Sequence, residues 1–264
     1  ELADAGVQVI YVGAVGEEKG NVGAEQLVDL DVGADEALIL EPTEHAIVHA
    51  HKGTLWYEVE VLGRAAHGSN PDKGLSAIRA MALLMDDIAR EIEQARAHHR
   101  SDLLGPPSVN IGLIRGGSSI NIVPDRCVIE VDRRTVPGED NQAILGEIRA
   151  ALIRLQALGA IANWNLTPIK EGTPFETKAD TRLVRRLSAA SAACGVKPRT
   201  EGASWYSDAG PFARTCREVA VFGPGSILQA HTADEYIELD SLQKGSDIIQ
   251  RFLRDLAAET KGSA

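Results

Sequence analysis

Two kinds of periodicity alternate along this chain, and their order restricts its fold more than any other feature. From 1 to about 48, and again after about 171, short apolar runs alternate with helical stripes, as in parallel strands covered by helices. Between about 49 and 170 the order becomes β-α-β-β-α-β, which spells a ferredoxin-like unit. The predicted fold class is therefore α/β. A parallel-type sheet domain built from 1–48 and 171–264 is interrupted by an inserted α+β domain at 49–170.

In the outer part, Val7–Val15 reads as a strand buried on both faces, followed by a helix at Val22–Leu30 and a strand at Ala37–Leu40. In the inserted part, Leu55, Tyr57, Val59 and Val61 alternate with other residues as in a strand with two unequal faces. Leu75, Ile78, Ala82, Met85, Ala89 and Ile92 then repeat at helical spacing. Strands are expected at Ser108–Ile114 and Arg126–Asp132, joined through a tight Gly116-Gly117 turn, and another near Asn163–Pro168. Between the last two lies a helix from Asn141 to Leu158, with Ile144, Ile148, Leu152 and Leu155 on one face. Helices at Thr181–Ala193 and Leu242–Ala258, with a strand at Val219–Phe222, complete the outer domain. Leu2, Ala3 and Ala5 look like a helix end stopped by Gly6, one turn ahead of a central strand. That opening predicts that part of the α/β domain precedes Glu1, and it leaves a targeting peptide open.

Charge and composition narrow the function. The balance of 27 Lys+Arg against 38 Asp+Glu gives −11, which argues against nucleic acid or an anionic membrane surface as partner. No apolar run approaches the roughly 18–20 residues that cross a bilayer. With 44% hydrophobic and 25% charged residues, the chain is neither disordered nor a disulfide scaffold. Cys127, Cys194 and Cys216 form no CxxC pair and read as reduced thiols of a cytoplasmic protein.

In open sheets, ligands bind outside the carboxyl ends of the strands. Three such ends carry chemistry: Glu17-Glu18, Glu41, and Gly223-Pro224-Gly225 with His231 a few residues on. Carboxylates with imidazole suit zinc or another borderline divalent ion. A second, unliganded carboxylate beside a metal-bound water suits proton transfer. A solvated strand-end loop is the alternative for Glu17-Glu18 alone, and the matching strand ends favour the site.

Seven motifs in order carry a family resemblance. They are GEEKGNVGA at 16–24, LEPTE at 40–44, AHKG at 50–53, GRAAHGSNPDKGLSAI at 63–78, GGSSINIVPD at 116–125, DRRTVPG at 132–138 and FGPGSILQAHTADEYIEL at 222–239. Together they resemble the dinuclear-zinc aminoacylase and carboxypeptidase family, the last block looking most like its acetylornithine deacetylase branch. The resemblance implies a metal-dependent amidohydrolase acting on an N-acyl amino acid, with dipeptidase, carboxypeptidase and desuccinylase activities as alternatives. It implies Glu17 as general base, Glu18 and His231 on one metal, and Glu41 on the other. The metals would be two divalent ions, zinc first, with cobalt or manganese also suited. His67 matches a histidine that crosses a homodimer formed through the inserted domain. Asn121, Arg134 and Gly225 match substrate-binding positions, an arginine fork being suited to a carboxylate.

The family pattern also calls for an upstream histidine and a metal-bridging aspartate, and neither has a counterpart here. The expectation is that this chain by itself is inactive, acting in that case only as a dimerisation or interaction module. Other candidates have plainer readings. His45, His49 and His51 read as structural, and His98 and His99 as helix-end residues. Asp208 reads either as a ligand-orienting acid or, with slightly more weight, as the cap of a helix beginning at Pro211. Arg133 and Arg134 point to opposite faces of a strand, so only one faces substrate.

Overall fold

A computed structural model describes residue 2, residues 5–30 and residues 34–262, so Ala3 of the expected helix end lies outside the described residues. The chain forms two compact units, one from Glu1–His51 with Phe175–Ala264 and the other from Lys52–Pro174. The first stretch holds α1 (Val22–Asp29), β1 (Glu36–Ile39) and β2 (Ile47–His51). The inserted unit holds β3 (Gly53–Leu62), α2 (Ala77–His98), β4 (Ser108–Gly116), β5 (Arg126–Thr135), α3 (Asn141–Ala157) and β6 (Asn163–Gly172). The return adds β7 (Phe175–Glu176), α4 (Arg182–Ala193), β8 (Thr200–Ala203), α5 (Ala209–Phe212), β9 (Glu218–Val221) and α6 (Leu239–Gly262).

The inserted unit is a four-stranded sheet in the order β4-β5-β3-β6, every pair antiparallel. This is the ferredoxin-like order that the element pattern predicts. Alternation decides its faces: Leu55, Tyr57, Val59 and Val61 join Cys127, Ile129 and Val131 in one core with α2 and α3. Ser76 caps α2 by accepting from the Arg79 backbone N–H at 3.3 Å, and Asp140 caps α3 through Gln142 at 2.9 Å. The buried stripe of α3 contains Ile144, Ile148, Leu152 and Leu155, as its periodicity predicts.

Two expectations here need correcting. The stripe that α2 buries is Ala77, Ala80, Met81, Leu84, Ile88 and Ile92, whereas Ile78, Ala82 and Ala89 face outward. Both stripes satisfy the helical period, and contact with the sheet selects the one carrying Met81, Leu84 and Ile88. The link between β4 and β5 is not a tight glycine turn but the nine-residue segment 117–125. That segment is held by bonds from Val123 N–H to Ala66 O and from Gly68 N–H to Asn121 O.

The outer unit's sheet runs β1-β9-β2-β7, with β8 also paired to β2. β1 and β9 are parallel, as are β2 and β8, but β2 is antiparallel to both β9 and β7. The sheet is thus mixed rather than uniformly parallel. Only residues 40–46 join β1 to β2, too few for the crossover that a parallel neighbour needs. The run Val7–Val15, expected as a buried strand, joins no ladder among the described residues, and Val9, Ile10, Tyr11 and Val15 are exposed. An apolar run becomes a strand only where a neighbour completes its hydrogen bonds, and β1 is paired on its β9 side alone. Val48, Val219 and Val221 pack against α1 and α5 on one side, and Ile47, Ala220 and Phe222 against α4 and α6 on the other.

Candidate active site

Glu17 and Glu18 stand on a single 3₁₀ turn, Glu17–Lys19, flanked by Gly16 at φ 74° and Gly20 at φ 95°. Both flanking conformations are left-handed, which glycine adopts without penalty. Asn21 follows at φ 56°, and its N–H closes the loop onto Gly16 O at 2.9 Å.

Glu41 leaves the carboxyl end of β1, and Gly223 follows the parallel β9 at the same edge. The two segments are bound tightly: Glu44 N–H donates to Gly225 O at 2.7 Å, His45 N–H to Gly223 O at 3.0 Å, and Gly223 N–H to Thr43 Oγ1 at 3.0 Å. A side chain at residue 223 would place its Cβ 2.5 Å from Glu41 O, so the approach requires glycine. Gly225, at φ 84°, also donates its N–H to Ser241 Oγ at 3.1 Å. Glu41 and Gly225 share a cavity of about 720 Å³ with apolar walls that include Leu40, Pro224 and Ile237.

The electrostatics tie the Glu17-Glu18 turn, which follows no strand, to the end of β1. Burial, then the charges of Glu17, Asp208 and Glu18, push the Glu41 carboxyl up to about 7. His231 brings Nε2 to 3.0 Å from Glu18 Oε1. Asn21 Nδ2 donates to Asp208 Oδ1 at 2.9 Å and makes a longer contact with Glu17 Oε1 at 3.4 Å. Glu17, Glu18, Glu41 and His231 therefore share one neighbourhood with Asp208 and Asn21. The cap role expected for Asp208 is not what its side chain performs. It occupies the N-cap of α5 but makes no side-chain cap bond, and its carboxylate turns to Asn21 instead. Asn21 was missed altogether; its only signal was its place inside the 16–24 motif.

Crowded carboxylates with one of them held near neutrality form a site short of positive charge, and a carboxylate–imidazole pair is a zinc-type donor set. The donors fit a divalent cation in kind but fall short in number. Among the described residues, no group of three or more His, Cys, Asp or Glu side chains is placed to hold a metal ion.

The inserted unit carries the remaining candidates. His67 is exposed, and its Nδ1 accepts from both the N–H and the hydroxyl of Ser69, at 3.2 and 2.7 Å. The backbone N–H can only donate, so the neutral ring carries its proton on Nε2, which is then a donor. Asn121 lies beside it, through the His67–Ile122 bridge and the bond from Gly68 N–H to Asn121 O at 2.7 Å. Arg134 is elsewhere: it pairs with Thr54 and Ser108 at the far end of β5. Its Nη2 donates to Asp132 Oδ2 at 3.0 Å. Arg133 points to the opposite face, fully buried between Glu91 and Glu139. His49 and His51 are buried in β2, where His49 Nδ1 bonds Thr177 O at 2.6 Å and His51 packs edge-on to Phe175.

Comparison with known proteins bears on the fold and on the inserted unit. Residues 49–159 match the peptidase dimerisation domain. An acetylornithine deacetylase from Myxococcus xanthus is 31% identical over 241 residues, 89% of this chain and 61% of that protein. One from Pectobacterium carotovorum is 30% identical over 250 residues, 92% and 63% of the two chains. This chain thus spans about three fifths of the length of the curated relatives it matches. Among solved structures, the aminopeptidase PepT from Bacillus cereus superposes with a TM-score of 0.73 at 23% identity, covering 92% of this chain and 63% of that one. The M20 family metallo-carboxypeptidase Sso-CP2 from Sulfolobus solfataricus gives 0.67 at 19% identity, covering 90% and 68%. Motif order, fold and likeness point the same way: the chain is similar to acetylornithine deacetylases over most of its length, and its inserted unit matches the peptidase dimerisation domain.

Proposed function

We propose that the protein carrying this chain is a metal-dependent amidohydrolase that removes the acyl group from an N-acyl amino acid, N-acetylornithine being the preferred substrate. The observation that carries the reading is the Glu41 carboxyl, held near 7 by burial and by three neighbouring carboxylates. Two divalent ions, zinc first, would relieve that repulsion, with Glu18 and His231 holding one and Glu41 the other. When bound, such ions polarise a carbonyl and acidify water.

The chain's own groups supply the rest. Glu17 takes a proton from the attacking water and returns it to the leaving amine nitrogen. The Nε2–H of His67 donates to the scissile carbonyl oxygen as charge develops there. Arg134, Asn121 and Gly225 are the proposed substrate-binding residues, the arginine fork being suited to a carboxylate.

Homodimerisation has a geometric argument. Arg134 lies eight positions from Arg126, the residue where β5 leaves the Asn121 segment, or about 27 Å of strand. A small substrate touches both Arg134 and the His67–Asn121 pair only if the two come from different protomers. We place the protein in the cytoplasm, where its three free cysteines stay reduced. Among the described residues, no helix is long and apolar enough to cross a membrane.

The test is hydrolysis by the zinc-loaded whole protein of N-acetylornithine, succinyl-diaminopimelate and simple dipeptides. Preference for the first supports the reading, and a dipeptide preference replaces it with a peptidase. Glu17→Gln should abolish turnover while leaving metal binding intact. The donor shortfall favours a second reading for the 264 residues alone, as a non-catalytic dimerising module. Zinc-stimulated turnover by the isolated chain would refute that second reading.

A further inference from the structure

We propose that Asn21 is a positioning residue for Glu17, its side-chain amide serving as a clamp between Glu17 and Asp208. The inference rests on the proposed role of Glu17 as base. Three observations converge on it.

Asn21 occupies the N-cap of α1, where an asparagine ordinarily accepts a helix N–H, yet it makes no side-chain cap bond. The residue is 1% exposed, and its Oδ1 is buried with no hydrogen-bond partner. Its backbone is left-handed at φ 56°, a conformation costly for most residues and tolerated by asparagine. The residue therefore forgoes a cap, leaves an acceptor unsatisfied and adopts a strained backbone, all at one position.

What it gains is the placement of Nδ2, 2.9 Å from Asp208 Oδ1 and 3.4 Å from Glu17 Oε1. The two carboxylates fix the amide's orientation, because a flipped amide would turn its oxygen toward both of them. Glu17 stands on a one-turn element between two left-handed glycines, so its loop has little rigidity of its own. The Asn21 amide links that loop to Asp208 at the N-terminus of α5, a helix whose Ala209 and Phe212 pack in the core of the outer unit. A base held in this way keeps its oxygen aimed at the reacting water, where misplacement by about 1 Å costs on the order of a hundredfold in rate.

Asn21→Gly is the deciding variant, because glycine accepts the left-handed backbone while removing the amide. In the zinc-loaded whole protein it should fold normally and lose about ten- to a hundredfold in kcat, with KM within about twofold. Asn21→Ser, a shorter polar side chain, should fall between glycine and wild type. In a Glu17→Gln background, Asn21→Gly should remove nothing further from the residual rate. Full kcat in Asn21→Gly would show that the position serves the backbone alone, and a change confined to KM would also overturn the proposal. A readout independent of turnover is the Asn21 side-chain amide signal in the ¹⁵N NMR spectrum of this chain. It should move on Glu17→Gln and on Asp208→Asn, and an unmoved signal refutes the clamp. If the wild-type protein hydrolyses no N-acyl amino acid, the functional reading falls, while the amide signal still decides the role of Asn21.

Discussion

A carboxylate that titrates near neutrality ties the stability of this chain to pH in a direction opposite to that of most paired acids. Glu41 ionises near 4.5 when unfolded and about 7 when folded, so between these values the folded state binds more protons. Its contribution is fully present below 4.5 and is lost as pH rises through about 7. In urea titrations of the metal-free chain, wild type should lose about 1–3 kcal/mol relative to Glu41→Gln between pH 4.5 and 8. A flat difference would mean that Glu41 does not sit among like charges. Arg133 poses the opposite case, a cation buried in the inserted unit and held by Glu91 at 3.0 Å and Glu139 at 2.5 Å. Arg133→Ala strands two carboxylates and should cost about 3–5 kcal/mol by chemical denaturation. If so, Arg133 is structural and Arg134 is the arginine left for substrate.

At the scale of elements, α2 separates packing from association. Met81 lies on its buried stripe, and Met81→Ala should cost about 2–5 kcal/mol. Ile78 and Leu83, 44% and 47% exposed on α2, should tolerate Ile78→Glu and Leu83→Glu with little change in protomer stability. The same pair of changes should shift the dimer to monomer in light scattering, because α2 belongs to the domain matched as the dimerisation unit. An unchanged dimer would move the interface elsewhere. Gly223 couples two strand ends: Gly223→Ala forces its Cβ against Glu41 O and should cost about 1–3 kcal/mol in thermal or urea unfolding.

For the whole molecule, dilution is the informative measurement. If Arg134 and the His67–Asn121 pair serve one substrate from two protomers, specific activity falls as the protein is diluted below its dimer dissociation constant. A fully active monomer would contradict this. Much of the architecture was legible beforehand, because alternation in β3 and the 3.6-residue stripe of α3 each admit one buried face. In α2 two stripes met the same period, and only contact with the sheet chose between them. The run Val7–Val15 had the composition of a buried strand, but a strand also needs a hydrogen-bonded neighbour, and no local pattern supplies one. Likewise, the types of residue in the candidate site were visible at Glu17, Glu18, Glu41 and His231. That Glu41 feels three other carboxylates, and that Asn21 turns away from its own helix toward Asp208, depended on residues 187 positions apart meeting. Side-chain chemistry and local period are properties of short windows, which the sequence determines alone. Proximity across the chain, and the burial and charge coupling that follow from it, exist only once the strands have been assembled.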